Sequence, residues 1–139
     1  MSRKTARRYA FELIFQFPFQ SDFDPGFALD AYPDDNLPKI NTNERGFVID
    51  TITGVRAHLD AIDVQIAANS EGWAITRLNS VDLAVLRLAV YEMLYTDTPI
   101  GISVNEAVDL AKLYSGEESG GFVNGVLAKI SKQSEARHA

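Results

Sequence analysis

The sequence predicts an all-α fold, and three observations carry that prediction. Apolar residues recur at spacings of three and four along most of the chain, no stretch alternates apolar and polar residues long enough to demand a strand, and the segment from Val81 to Tyr95 is apolar on nearly every face. The last of these is the pattern of a helix buried at the centre of a bundle. Short helices joined by short connectors imply a helical bundle. At 139 residues, 46% of them hydrophobic, the chain has the size of one domain and can bury a core without staples.

The elements follow in order. A first helix runs from Arg3 to Phe17, with Ala10, Leu13, Ile14 and Phe17 on one face and Pro18 blocking continuation. Between Phe19 and Asn41, Pro25, Gly26, Pro33 and Pro38 leave room only for a short helix near Phe27 to Ala31. Asn41 followed by Glu44 signals a helix from Thr42, with Phe47, Ile49, Ile52 and Val55 as apolar positions. Gly54 marks either a kink or a break before a helical stretch from His58 to Ala68. Asn69, Ser70 and Gly72 form the best boundary between two subdomains, 1–70 and 71–139, with Trp73 as an apolar plug beside it. Ser80 caps the central helix, which Asp97, Thr98 and Pro99 end. Ser103 with Glu106 makes a capping box opening a helix from Val104 to Tyr114. SGEESGG reads as a loop, Ser119 as the cap of a last helix from Phe122 to Lys132, and the tail as frayed. The reading gives about seven helices.

Composition bounds the function. With no cysteine, thiol chemistry, disulfides and Cys-based zinc sites are excluded, which fits a reducing cytoplasm. The longest apolar stretch is interrupted by Asp82, Arg87 and Glu92, and the N-terminus has no apolar signal core, so the chain reads as soluble and not exported. The formal net charge of −6 is unevenly spread: Arg3, Lys4, Arg7 and Arg8 precede the first acid, Glu12, leaving 13 − 4 = 9 bases against 19 acids in the remainder. A basic tip on an acidic body suits an anionic partner at the tip and a basic protein elsewhere. Cations at a helix N-terminus oppose the macrodipole at a cost of a few tenths of a kcal/mol, roughly, which invites a functional explanation. Arg7 and Arg8 are expected to be exposed and to contribute little to stability.

Enzyme readings find little support. His58 and His138 are the only histidines and neither has a partner at catalytic spacing. There is no H-E-x-x-H zinc motif, no G-x-x-x-x-G-K phosphate loop and no G-x-S-x-G elbow. No cofactor or metal is implied.

Three ordered motifs carry a resemblance: R-L-N-S-V-D-L-A-V-L-R-L-A-V-Y-E-M from Arg77 to Met93, P-I-G-I-S-V-N-E-A-V-D-L-A-K-L-Y from Pro99, and F-V-N-G-V-L from Phe122. Together they resemble the C-terminal half of the NusB transcription-antitermination family; A-R-R-Y-A-F-E-L-I-F from Ala6 resembles the family's Arg-rich opening more loosely. The resemblance implies two small helical subdomains and a non-enzymatic factor that binds boxA single-stranded RNA together with NusE, a small ribosomal protein, in the transcription elongation complex. It implies RNA contacts by Arg3, Lys4, Arg7, Arg8 and Phe122, with Glu118 tuning affinity, and protein contacts by Phe15 and Asp82. An aromatic at such a position can stack on an unpaired base, and cations neutralise phosphates. The chain departs from the family pattern at Gly120 and Gly121, where relatives often place a cation before the Phe, at Phe15 in place of Tyr, and at Glu12 in place of Gln. Asn105 and Asn124 are expected to be scaffolding. Two alternatives stand beside this reading: a helical protein-interaction adaptor without RNA binding, and the NusB-like domain of an RNA cytosine methyltransferase. The basic helix could also be hidden in a homodimer.

Overall fold

Side-chain caps set where several helices begin. Asp24 Oδ1 accepts from the Phe27 N–H at 3.1 Å, Asn41 Oδ1 from the Glu44 N–H at 2.9 Å, and Asn79 Oδ1 from the Asp82 N–H at 2.7 Å. Each bond satisfies one of the amide donors that a helix start leaves without an intrahelical acceptor. The computed structural model describes residues 3–16, 24–30, 41–71 and 74–138. Among them lie seven α-helices: α1 (Arg3–Gln16), α2 (Pro25–Asp30), α3 (Thr42–Ala57), α4 (Leu59–Ala68), α5 (Ser80–Tyr95), α6 (Ile100–Ser115) and α7 (Glu117–His138). A 3-10 turn, Ile75–Arg77, precedes α5. The all-α expectation holds. Phe17, Pro18, Ala31, Gly72 and Trp73 lie outside the described residues.

The chain divides into two compact units, Met1–Ala57 and His58–Ala139. In the first, α1 and α2 pack on α3. Ala6, Ala10, Phe11 and Leu13 of α1 are buried, as are Val48, Ile52 and Val55 of α3, in the three-and-four spacing of the sequence. Helix α3 passes through Gly54 without interruption, and the break comes at His58, whose φ of −112° and ψ of 17° leave the helical region.

In the second unit α5 is the hub, packed against α4, α6 and α7. Val85, Leu86, Leu88, Ala89 and Val90 are buried on it, as the all-round apolar pattern predicts. Each of these valine and leucine side chains contributes roughly 1.5–3 kcal/mol by leaving water. Arg87 joins α5 to α4 with a two-pronged bond to Asp63, Nε to Oδ1 at 2.9 Å and Nη2 to Oδ2 at 2.8 Å.

Several boundaries differ from the sequence expectation. Asn79, not Ser80, caps α5: its backbone is extended and its side chain reaches the Asp82 amide. Helix α6 opens at Ile100, a full turn before the expected capping box, because the Pro99 carbonyl accepts the Ile102 and Ser103 amides. Ser103 therefore lies inside the helix, buried. SGEESGG is not a loop. One residue, Gly116, separates α6 from α7 with φ +96°, a conformation glycine adopts without strain. Helix α7 starts at once, its first turn carrying Glu117 and Glu118, charges that the macrodipole favours there. Gly120 is a packing residue: a Cβ there would lie 2.6 Å from Lys112 Cγ on α6. At the other end α7 continues as helix to His138, beyond the expected stop at Lys132.

Candidate nucleic-acid interface

The predicted residues fall into both units. On α1, Arg3 and Arg7 share one partner ring. The Arg3 guanidinium lies 4.1 Å from the Phe47 centroid and its Nε pairs with Glu44 Oε2 at 3.0 Å; the Arg7 guanidinium lies 5.8 Å from the same centroid. Cation–ring contacts of this kind hold α1 to α3. Arg7 is only 7% exposed, which corrects the expectation of an exposed arginine. Its long stem packs while its head group satisfies the aromatic face. Arg3 and Lys4 are exposed and Arg8 half-exposed, so these three, and not Arg7, present the accessible positive charge of the four. Phe15 is exposed, with its ring 6.0 Å from that of Phe11 one turn back.

In the second unit Phe122 is half-exposed; the core positions of its helix are taken by Val123, Val126, Leu127 and Ile130. Phe122 stands between two depressions. One, of about 240 Å³, is lined by Asn69, Ser70, Glu71, Gly121, Gly125 and Lys129. Gly121 and Gly125 leave its floor bare, since a Cβ at either would meet nothing within 4 Å. Lys129 donates to Glu71, which lowers that carboxyl below its usual range, and Gln133 Nε2 donates to Asn69 Oδ1 at 3.0 Å. The other depression, of about 400 Å³, is lined by Arg77, Leu78, Asn79, Asp82, Glu118 and Ser119.

Glu118 is exposed at the second groove. Asp82 is not an exposed acid: it is 6% exposed, its Oδ2 accepts from Asn79 Nδ2 at 3.1 Å, and its Oδ1 is buried without a hydrogen bond of proper geometry. Burial pushes the Asp82 carboxyl up, while the nearby Ser119 hydroxyl and the Asn79 amide oppose the shift. An acid at the start of a helix is ordinarily read as exposed and dipole-stabilised. The cap that pulls it inward belongs to a neighbour, which is why its burial escapes a sequence reading.

Sequence reasoning missed Arg77, Asn79 and Lys129 as groove residues. The signal for Arg77 was its place at the start of the first family-like motif. Lys129 had none, since a cation on an amphipathic helix ordinarily reads as a solvated face. Asn105 and Asn124, expected as scaffolding, are both exposed. His58 stacks on Tyr95 with centroids 3.9 Å apart and planes at 11°. Among the described residues no group of three or more His, Asp or Glu could hold a metal ion, and no helix is long and apolar enough to cross a membrane.

The scaffold is all-helical, with cations on its first helix and, in its second unit, a half-exposed aromatic between two polar grooves. The chain belongs to the NusB family, whose model matches residues 4–132. It is 42% identical over 136 residues to the transcription antitermination protein NusB of Acetivibrio thermocellus, covering 95% of this chain and 90% of that protein. Its fold matches T. maritima NusB with a TM-score of 0.82 at 36% identity, covering 95% of this chain and 92% of the other. It also matches the crystal structure of the antitermination factors NusB and NusE in complex with dsRNA, with a TM-score of 0.81 at 30% identity over 94% of this chain and 96% of the other. These relatives are named for a role in transcription, not for an enzymatic activity.

Proposed function

We propose that the chain is a transcription antitermination factor that binds boxA-type single-stranded RNA together with a NusE-type ribosomal protein, supporting antitermination of ribosomal RNA operons. The likeness over 94% of its length to a NusB solved with NusE and RNA carries this reading. Lys4 and Arg8 contact phosphates, and Phe122 stacks on an unpaired base. Phe15 belongs to the protein-facing surface, where an exposed ring can fill a partner's pocket. The factor works in the cytoplasm as part of the elongation complex.

Transcription through a terminator placed downstream of boxA tests the reading, with elongation factors present and the chain added or withheld. Read-through that requires both the chain and an intact boxA is the expected result. Read-through indifferent to the chain would leave a protein-interaction adaptor as the better account. Parallel binding to single-stranded and duplex boxA separates the strand form used here from the duplex named for the related complex.

A further inference from the structure

Three rings gather at the C-terminal end of α5. His58 lies 3.9 Å from Tyr95 with planes at 11°, and Tyr91, one turn back, stands 6.1 Å from Tyr95 and 6.5 Å from His58 with planes at 24° and 28°. His58 occupies the position before α4 where a side chain ordinarily caps the helix, yet it makes no capping bond, and its ring is committed to the stack. His58 and Tyr95 are exposed and Tyr91 is half-exposed. The surroundings are negative. The last turn of α5 carries no basic residue to offset its carbonyl end, and Arg87, one turn before Tyr91, is held by Asp63. Asp60 follows His58 by two residues and Asp97 follows Tyr95 by two; both are exposed, and neither forms an ion pair among the described residues.

We propose that this aromatic ladder is a docking surface for an arginine-bearing segment of a partner protein. A guanidinium is planar and weakly hydrated, so it lies flat against an aromatic face while its N–H groups donate to a carboxylate at the side. The carbonyl end of α5 adds negative potential that favours the same cation. Nucleic acid is a poor occupant, because carboxylates and a helix C-terminus repel phosphate. From Asp82, in the Phe122 groove, to Tyr95 the axis of α5 runs roughly 20 Å at about 1.5 Å per residue. The ladder therefore lies at the opposite end of α5 from that groove, and the two can be occupied at once.

The full chain, isotopically labelled, is titrated in an NMR experiment with a glycine–serine peptide carrying several arginines, then with the same peptide carrying lysine in their place. Salt is held at about 0.15 M, where exposed charges more than roughly 8 Å apart are screened. The ring signals of His58, Tyr91 and Tyr95 should shift most, and the arginine peptide should bind about five-fold more tightly than its lysine counterpart. Tyr95→Ala should weaken the arginine peptide about five-fold or more, and Asp97→Asn, which leaves every ring in place, should weaken both peptides alike. No binding of the arginine peptide, shifts scattered over the acidic surface, equal affinity for the two peptides, or wild-type affinity in Tyr95→Ala overturns the proposal. Self-association of the chain that Tyr95→Ala abolishes, read by sedimentation without peptide, assigns the ladder to a second copy and overturns it as well.

Discussion

Arg7 and Phe47 form a buried cation–ring contact between α1 and α3, with the guanidinium 5.8 Å from the ring centroid and the arginine 7% exposed. A residue that looks like a phosphate contact in the sequence is therefore part of what holds the first unit together. Arg7→Ala should cost about 1–3 kcal/mol through lost packing and lost cation–ring attraction. Lys4→Ala and Arg8→Ala should stay within about 0.5 kcal/mol of wild type. Urea unfolding of the three variants checks this, and an Arg7→Ala midpoint equal to wild type would contradict the structural role.

Because Lys4 and Arg8 belong to the accessible charge of α1, removing both should make the slope of log K for RNA against log salt less steep by about 1.4, at roughly 0.7 per single-strand phosphate. The measurement is a binding titration at several salt concentrations. A slope unchanged in the double variant would place the phosphate contacts elsewhere.

The two adjacent glycines of α7 behave differently. Gly121→Ala should stabilise the fold by about 0.5–1 kcal/mol, since the added methyl meets nothing and helix propensity rises. Gly120→Ala should fall short of that gain, because its methyl displaces the Lys112 stem, whose ammonium lies 3.8 Å from Glu117. Comparison of denaturation midpoints decides it.

Asp82 gives a pH signature with a definite sign. Its folded pKa is raised by burial above the ordinary 3.8, so the folded state binds more protons than the unfolded state between the two values. Its contribution to stability is complete below the unfolded pKa and is lost as pH rises through the folded one. Relative to Asp82→Asn, wild type should therefore lose stability on passing from acid toward neutral pH. A difference that is flat or runs the other way, followed by chemical denaturation across that range, would contradict the buried carboxylate.

The Arg87–Asp63 pair joins α4 to the central helix through two aligned hydrogen bonds. Asp63→Asn should cost about 1–2 kcal/mol, since hydrogen bonds to charged groups exceed neutral ones and this pair is partly shielded from solvent.

Much of the fold was legible because periodicity is a local property. The all-round apolar run of α5 marked the hub, and Asn41 with Glu44 marked the start of α3. Helix starts were misread where two local signals competed. Ser80 and Asn79 are both good caps, and only the geometry of the chain entering α5 selects Asn79. Ser119 and the glycine pair look like a loop, yet a single Gly116 makes the turn and Gly120 is small because α6 lies against it. The site was half legible. The ring of Phe122 and the charge of Arg3, Lys4 and Arg8 follow from local pattern and resemblance. The burial of Arg7 under Phe47 and of Asp82 under Asn79 depends on partners that spacing does not reveal.

Equilibrium binding of a boxA-like single strand against a scrambled strand, each with and without a NusE-type protein, tests the central claim most directly. The account predicts a preference for boxA that strengthens when the protein partner is present and weakens by about 1–3 kcal/mol in Phe122→Ala, the worth of one base stacked on an aromatic ring. Equal and negligible binding of both strands, with or without the partner, would contradict it.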